Sequence, residues 1–167
     1  MSTLRYLSNY SQQLKDQALQ MIEQNNLSGY LLNKYPTTHQ FVNDKSLREY
    51  AISIKNQYIK KSSPLSQVIY DPKIHVINNA LGLHTFVSRV QGHKLKSKNE
   101  IRISDVFKKS PEPFLRMIVV HELAHLKEKD HNKAFYKLCC HMSSDYHQLE
   151  FDMRLYLTHL ELNGEIY

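Results

Sequence analysis

The chain has 167 residues, of which 41% are hydrophobic, so it is long enough to form one domain with a substantial core. It contains no apolar run of about 18 residues and no apolar leader after Met1, which excludes a transmembrane helix and predicts a cytoplasmic protein. The two cysteines, Cys139 and Cys140, are adjacent, which excludes a disulfide framework and a cysteine-based zinc ribbon. The net charge of +6 suits an anionic partner such as a nucleotide or nucleic acid, but a charge of this size is explained as well by solubility alone; nothing indicates a membrane partner.

The first third of the chain has the periodicity of helices. Apolar residues recur every three or four positions over residues 8–25 and again over residues 44–61, with a shorter helical segment between them. Asn43 or Asp44 is a suitable cap for the second long helix. We therefore predict a helical N-terminal part over residues 1–62.

The middle of the chain predicts a small antiparallel sheet. Residues 67–70 and 74–77 are short apolar runs on either side of the turn-forming Asp71-Pro72 pair, which indicates a hairpin. A further strand is expected over residues 83–90. Residues 100–104 alternate apolar and charged side chains, which indicates a half-buried strand at an edge of the sheet.

The last third of the chain is again helical. One helix is predicted to begin at Ser110-Pro111-Glu112 and to run to about residue 129. A second follows over residues 131–142 with Asp130 as its cap, and a third covers about residues 145–160. The fold class is therefore α+β, with a single domain over residues 1–167 whose core lies in residues 63–167.

Residues 121–125 read His-Glu-Leu-Ala-His, an H-E-x-x-H motif. On a helix, His121 and His125 lie one turn apart on one face, so their imidazoles can share a metal ion. Glu122 lies beside them, where its carboxylate can take a proton from water at the metal. These residues predict a metal-dependent hydrolase with Glu122 as the general base.

A catalytic zinc site requires a third protein ligand. His131 follows His121 by ten residues and is the favoured third ligand, with Glu150, His141 and His147 as alternatives. We expect one Zn²⁺ per chain, although three imidazoles also suit cobalt, nickel or copper.

Other residues are candidates for supporting roles. Glu150 lies among apolar residues and is a candidate hydrogen-bond partner for a metal-ligating imidazole. Arg89, His84, His93 and Tyr146 are candidates for binding substrate, because each can donate a hydrogen bond to developing negative charge.

Three segments of the sequence together resemble the YgjP-like family, which belongs with the WLM and SprT-like zincin metallopeptidases. They are HTFVSRVQGHKLKSKNEIRIS, PEPFLRMIVVHELAHLKEKDHNKAFY and YHQLEFDMRLYLTHL. The resemblance implies a zincin fold, metal ligation by His121, His125 and His131, and Glu122 as the catalytic glutamate. It also implies that a substrate strand adds to an edge strand near Glu100–Ser104.

The resemblance leaves two enzymatic hypotheses. The first is a zinc metallopeptidase acting on peptides, with a variant that acts on proteins attached to nucleic acid. The alternative is a nucleoside triphosphate pyrophosphohydrolase of the UTP type, in which a basic segment containing Arg89, Lys94, Lys96 and Lys98 holds the polyphosphate. A third hypothesis, a binding protein with a structural metal, is disfavoured because three ligands leave a coordination position open.

Overall fold

The computed structural model describes residues 4–74, 82–91 and 94–167, and for residues 82–91 and 94–98 it describes the backbone alone. These ranges contain six α-helices and three β-strands, together with short 3₁₀ turns at Arg5–Leu7 and Asp105–Lys109. In chain order the elements are α1 (Gln12–Glu23), α2 (Leu27–Lys34), α3 (Asp44–Tyr58), β1 (Leu65–Asp71), β2 (Gly82–Gln91), β3 (Lys94–Ser104), α4 (Glu112–Ala124), α5 (Lys133–Met142) and α6 (Tyr146–Asn163). The predicted α+β class is confirmed.

Two of the N-terminal helices, α1 and α3, begin at side chains that cap them. Ser11 accepts a hydrogen bond from the backbone N–H of Leu14 at the start of α1. Asn43 and Ser46 form a reciprocal capping box at the start of α3. The helices predicted for this part are confirmed, and the hydrophobic core joins their buried residues to those of the C-terminal helices. The division at residue 62 stays a prediction.

The sheet is mixed, with β3 between the other two strands. β1 pairs with β3 in parallel, and β2 pairs with β3 in antiparallel orientation. The predicted antiparallel sheet is therefore wrong, because the β1–β3 pair is parallel. The predicted hairpin is not supported either, since β1 pairs with β3 and residues 75–77 lie outside the described residues.

The chain turns after β1, as the Asp71-Pro72 pair predicts, but β1 does not pair with the segment that follows this turn. The Asp71 carboxylate accepts a hydrogen bond from the backbone N–H of Lys73 at 2.8 Å, as in an aspartate-led turn. The same carboxylate pairs with Arg102 of β3 at 3.0 Å. The turn at Asp71 is therefore real, although the strand that pairs with β1 is β3, which lies further along the sequence.

The segment Glu100–Ser104 is not an edge strand, as we predicted, but part of the central strand. Ile101 and Ile103 are fully buried while Glu100 and Arg102 are partly exposed. A central strand covered on one face shows the same alternation as an edge strand, so the pattern alone does not distinguish them. Residues 100–103 already pair with described strands on both sides, so they are closed to an added substrate strand.

Helix α4 runs through the middle of the molecule. Almost every residue from Phe114 to Ala124 is buried, including the acidic Glu122. The helix packs against β2, β3 and the helices α3, α5 and α6. A helix that is apolar on nearly all sides is stable only in such a central position.

α4 ends at Ala124, earlier than the predicted end near residue 129. The chain then passes through a series of turns before α5 begins at Lys133. The cap of α5 is Asn132, whose side chain accepts from the N–H of Phe135 at 2.9 Å, and not Asp130 as predicted. No helix of the described residues is long and apolar enough to cross a membrane.

Candidate metal centre

The end of α4 places two imidazoles side by side. His121 lies in its last turn and His125 is the residue that caps its C-terminus. Their ring centroids are 5.1 Å apart, as expected for residues one helical turn apart.

The turns after α4 bring a third imidazole back to the first two. The Nε2 atoms of His125 and His131 are 3.1 Å apart. One ligand atom from each of His121, His125 and His131 lies within 4.8 Å of the others. The structure therefore brings together the three residues predicted as metal ligands.

In two of these rings the Nδ1 atom already has a hydrogen-bond partner. Nδ1 of His121 is 2.8 Å from the hydroxyl of Tyr146, and Nδ1 of His125 is 3.0 Å from the carbonyl oxygen of Glu128. The Glu128 carbonyl can only accept, so Nδ1 of His125 carries the proton and its Nε2 is left for a metal. The Tyr146 hydroxyl can accept from Nδ1 of His121 and leave the Nε2 of that ring for a metal in the same way.

The donor set fits a divalent transition metal. Nitrogens about 2.0–2.1 Å from a tetrahedral zinc ion lie about 3.3 Å from each other, close to the separation of the His125 and His131 nitrogens. Burial, together with the nearby His125 and His131, lowers the pKa of His121 to about 3, so this imidazole is neutral near pH 7. Neutral imidazole is the form that binds metals.

Glu122 is buried next to the first ligand, with 3% of its surface exposed. Burial raises the pKa of Glu122 to about 8, and a cation held beside it would favour the carboxylate form.

Phe135 packs against all three imidazoles, a role that was not predicted from the sequence. Its ring centroid lies 4.9 Å from that of His121, 4.6 Å from His125 and 5.0 Å from His131, and the residue is fully buried. The sequence indicates this role only weakly, by an aromatic residue four positions after His131 in a helix with a polar outer face.

The alternative candidates for the third ligand do not belong to this cluster of imidazoles. Glu150 accepts a hydrogen bond from Tyr10 at 2.9 Å and lies 3.6 Å from Arg154. The ring of His141 packs edge-on against Tyr58, and that of His147 packs against Tyr136.

The candidate substrate-binding residues are placed differently from one another. Tyr146 is fully buried and its hydroxyl contacts His121, so it is not placed to contact a substrate. His84 and Arg89 lie on β2, where their register partners are Ile101 and Lys96. His93 lies outside the described residues.

Two comparisons with known proteins identify the family of this chain. Residues 9–155 match the YgjP-like, metallopeptidase domain family. A protein of Escherichia coli (strain K12) named UTP pyrophosphatase is 59% identical over 162 residues, which cover 97% of each chain. No solved structure matches this chain. The chain therefore belongs to the YgjP-like metallopeptidase-domain family and is a metal-dependent hydrolase.

Proposed function

We propose that this enzyme hydrolyses a nucleoside triphosphate of the UTP type between its α- and β-phosphates and releases pyrophosphate. The observation that carries the proposal is the 59% identity, over 97% of each chain, to a protein named UTP pyrophosphatase. The sequence by itself favours a peptidase over this activity. The relative's name favours the second.

One Zn²⁺ ion held by His121, His125 and His131 is the proposed cofactor. The converging imidazole nitrogens and their occupied Nδ1 atoms support this assignment. Three imidazoles leave a coordination position free, which is typical of catalytic and not structural zinc. Bound zinc supplies Lewis acidity, which makes water a better nucleophile near neutral pH and withdraws charge from the phosphate under attack.

Glu122 is the proposed general base. Its carboxylate takes a proton from the attacking water, whose oxygen forms a bond to phosphorus. The bond from that phosphorus to the bridging oxygen breaks, and the nucleoside monophosphate separates from pyrophosphate. The proton held on Glu122 is then returned to solvent or to the departing phosphate, so that one water is consumed for each bond broken.

The basic segment on β2 and β3 is the proposed contact for the polyphosphate. Lys94, Lys96 and Lys98 occupy every second position at the start of β3, and Lys96 is the register partner of Arg89. This stretch of the sheet therefore concentrates positive charge on two adjacent strands. Cationic side chains of this kind stabilise the charge of a transferring phosphoryl group.

A metallopeptidase is the second candidate, because the family itself is described as a metallopeptidase domain. In that case the same water and Glu122 would attack a peptide carbonyl, and the proton would pass to the leaving amine. The basic segment would then have no part in the reaction.

The test is a parallel assay of the zinc-loaded protein on UTP, the other common nucleoside triphosphates, inorganic tripolyphosphate and a mixed peptide library. We expect pyrophosphate release from UTP and no cleavage of peptides. Cleavage of peptides without any release of pyrophosphate would establish the peptidase instead.

Two variants make the assay specific for the site. Glu122→Gln should retain zinc and lose at least about 100-fold in kcat, since a general base contributes about 10² to 10⁴. Glu49→Gln, an exposed acid on α3, is the matched control and should retain full activity.

A further inference from the structure

We infer that Tyr136 and His147 form an aromatic platform beside the metal centre, on which the base of the nucleotide substrate stacks. The inference rests on the proposed function, since it names the residues that would hold the nucleoside end of a nucleoside triphosphate. Tyr136 is then a specificity-determining residue, because it allows the enzyme to distinguish a nucleotide from a bare polyphosphate.

The platform lies next to the most exposed of the three imidazoles. His131 is exposed, whereas His121 and His125 are half-buried. The ring centroid of Tyr136 lies 6.5 Å from that of His131. Phe135 is fully buried and packs against the same imidazoles, so it closes one side of the cluster. A substrate therefore approaches a metal held here from the side on which His131 is accessible.

The two rings of the platform come from different helices and contact each other. Tyr136 is the fourth residue of α5 and His147 is the second residue of α6. Their ring centroids are 5.6 Å apart, with an interplanar angle of 36°. Both rings pack on the fully buried Tyr146, at 6.3 Å from Tyr136 and 5.4 Å from His147. This packing orders the platform in the absence of substrate, which lowers the entropy cost of binding.

Contacts within the protein leave part of both rings accessible. Tyr136 is half-buried and His147 is exposed. The Tyr136 hydroxyl has no hydrogen-bond partner among the described residues, whereas those of Tyr10 and Tyr30 each donate to a carboxylate. The platform therefore presents aromatic surface together with polar edges, which is the combination that binds nucleobases.

A nucleotide is the occupant that the surroundings of the platform favour. The base of a nucleotide is one ribose away from its α-phosphate, which suits a platform one ring away from a metal ligand. Lys133 lies one turn before Tyr136 on the same face of α5, is exposed, and forms no ion pair with the described residues. This cation would attract a ligand that carries phosphates as well as a flat ring. An apolar peptide side chain would gain nothing from that charge.

A second pair of a tyrosine and a histidine provides a matched control. The Tyr58 ring of α3 packs edge-on against His141 of α5, with centroids 5.4 Å apart. Tyr58 is half-buried and His141 is exposed, as in the platform. Neither ring packs against a metal-ligating imidazole among the described residues. Tyr58→Leu therefore removes a similar ring at a distance from the metal centre.

The experiment compares UTP with inorganic tripolyphosphate, which carries phosphates without a base. The affinity for each is measured by calorimetric titration of zinc-loaded Glu122→Gln protein, in which turnover is slow, and KM is measured by pyrophosphate release from the chain that retains Glu122. Tyr136→Leu should weaken UTP affinity at least about 5-fold, the lower end of the contribution of base–aromatic stacking, and leave tripolyphosphate affinity unchanged. KM should follow the same pattern.

Three further variants test the geometry of the platform. Tyr136→Phe retains the ring and should bind UTP within about 2-fold of the parent, because the stacking surface is kept. His147→Ala should weaken UTP affinity by a smaller factor than Tyr136→Leu, since imidazole is the smaller ring. Tyr58→Leu should change neither affinity. The zinc content of each variant, measured by atomic absorption, shows whether the metal centre is intact.

The outcomes separate this inference from the proposed function. Unchanged UTP affinity in Tyr136→Leu, or an equal loss of UTP and tripolyphosphate affinity, would overturn the platform while the proposed function stands. An equal loss of UTP affinity in Tyr58→Leu would also overturn it. A zinc-loaded parent that neither binds nor cleaves UTP would overturn the proposed function, and the platform with it.

Discussion

Replacement of Phe135 by leucine tests whether one buried ring aligns the three imidazoles. The Phe135 ring lies within 5.0 Å of the rings of His121, His125 and His131 and is fully buried. Leucine fills most of the space, so the swap itself should cost less than about 1.5 kcal/mol. The lost ring contacts add about 0.5–1.5 kcal/mol. We therefore expect a loss of about 0.5–3 kcal/mol in the free energy of unfolding without metal.

Phe114→Leu is the matched control for this prediction. Phe114 is also fully buried, but its ring packs against Tyr35 and Tyr156, away from the metal centre. Both variants should lose similar stability in urea unfolding with a chelator present, and only Phe135→Leu should also bind Zn²⁺ more weakly, by about tenfold or 1.4 kcal/mol. If both variants bind Zn²⁺ as tightly as wild type, the idea that Phe135 aligns the ligands is refuted.

Three further predictions concern buried groups. Burial raises the pKa of Glu122 to about 8, so ionisation of this carboxyl destabilises the metal-free fold. The loss in the free energy of unfolding is absent below about pH 4.5 and grows as the pH rises towards 8. Glu122→Gln should therefore gain stability over the metal-free wild type at pH 8 and not at pH 4.5 in urea unfolding, and a pH-independent difference would contradict this. Burial raises the pKa of Cys139 to about 12, so iodoacetamide at pH 8 should label only the half-buried Cys140 in the folded protein, as read by mass spectrometry. Tyr35→Phe removes a 2.5 Å hydrogen bond to the buried Asp152 carboxylate and should cost about 1.5–3 kcal/mol in the same unfolding assay; a loss under 0.5 kcal/mol would argue against that bond.

The sequence was sufficient to predict that His121, His125 and His131 come together, because their geometry is local. His121 and His125 share a helical face by periodicity, and His131 returns across a short series of turns. The buried α4 was equally predictable, since its apolar run needs a central position.

The parts that were missed depend on tertiary contacts. The alternation in Glu100–Ser104 is compatible with an edge or a central strand, and only the pairing of β3 with both β1 and β2 decides between them. The role of Tyr146 depends on α6 lying beside α4, so its candidacy as a substrate contact did not anticipate its position behind His121. Glu150 was expected beside an imidazole, whereas its carboxylate contacts Tyr10 and Arg154.

The most direct test of the proposed activity is a zinc titration of the metal-free protein with UTP as substrate, followed by pyrophosphate release. The account predicts that the rate rises until one equivalent of Zn²⁺ per chain is bound, and that Glu122→Gln binds the same equivalent with a rate at least about 100-fold lower. A rate that does not depend on zinc, or a Glu122→Gln variant as active as wild type, would contradict the proposed metal-dependent mechanism with Glu122 as its base.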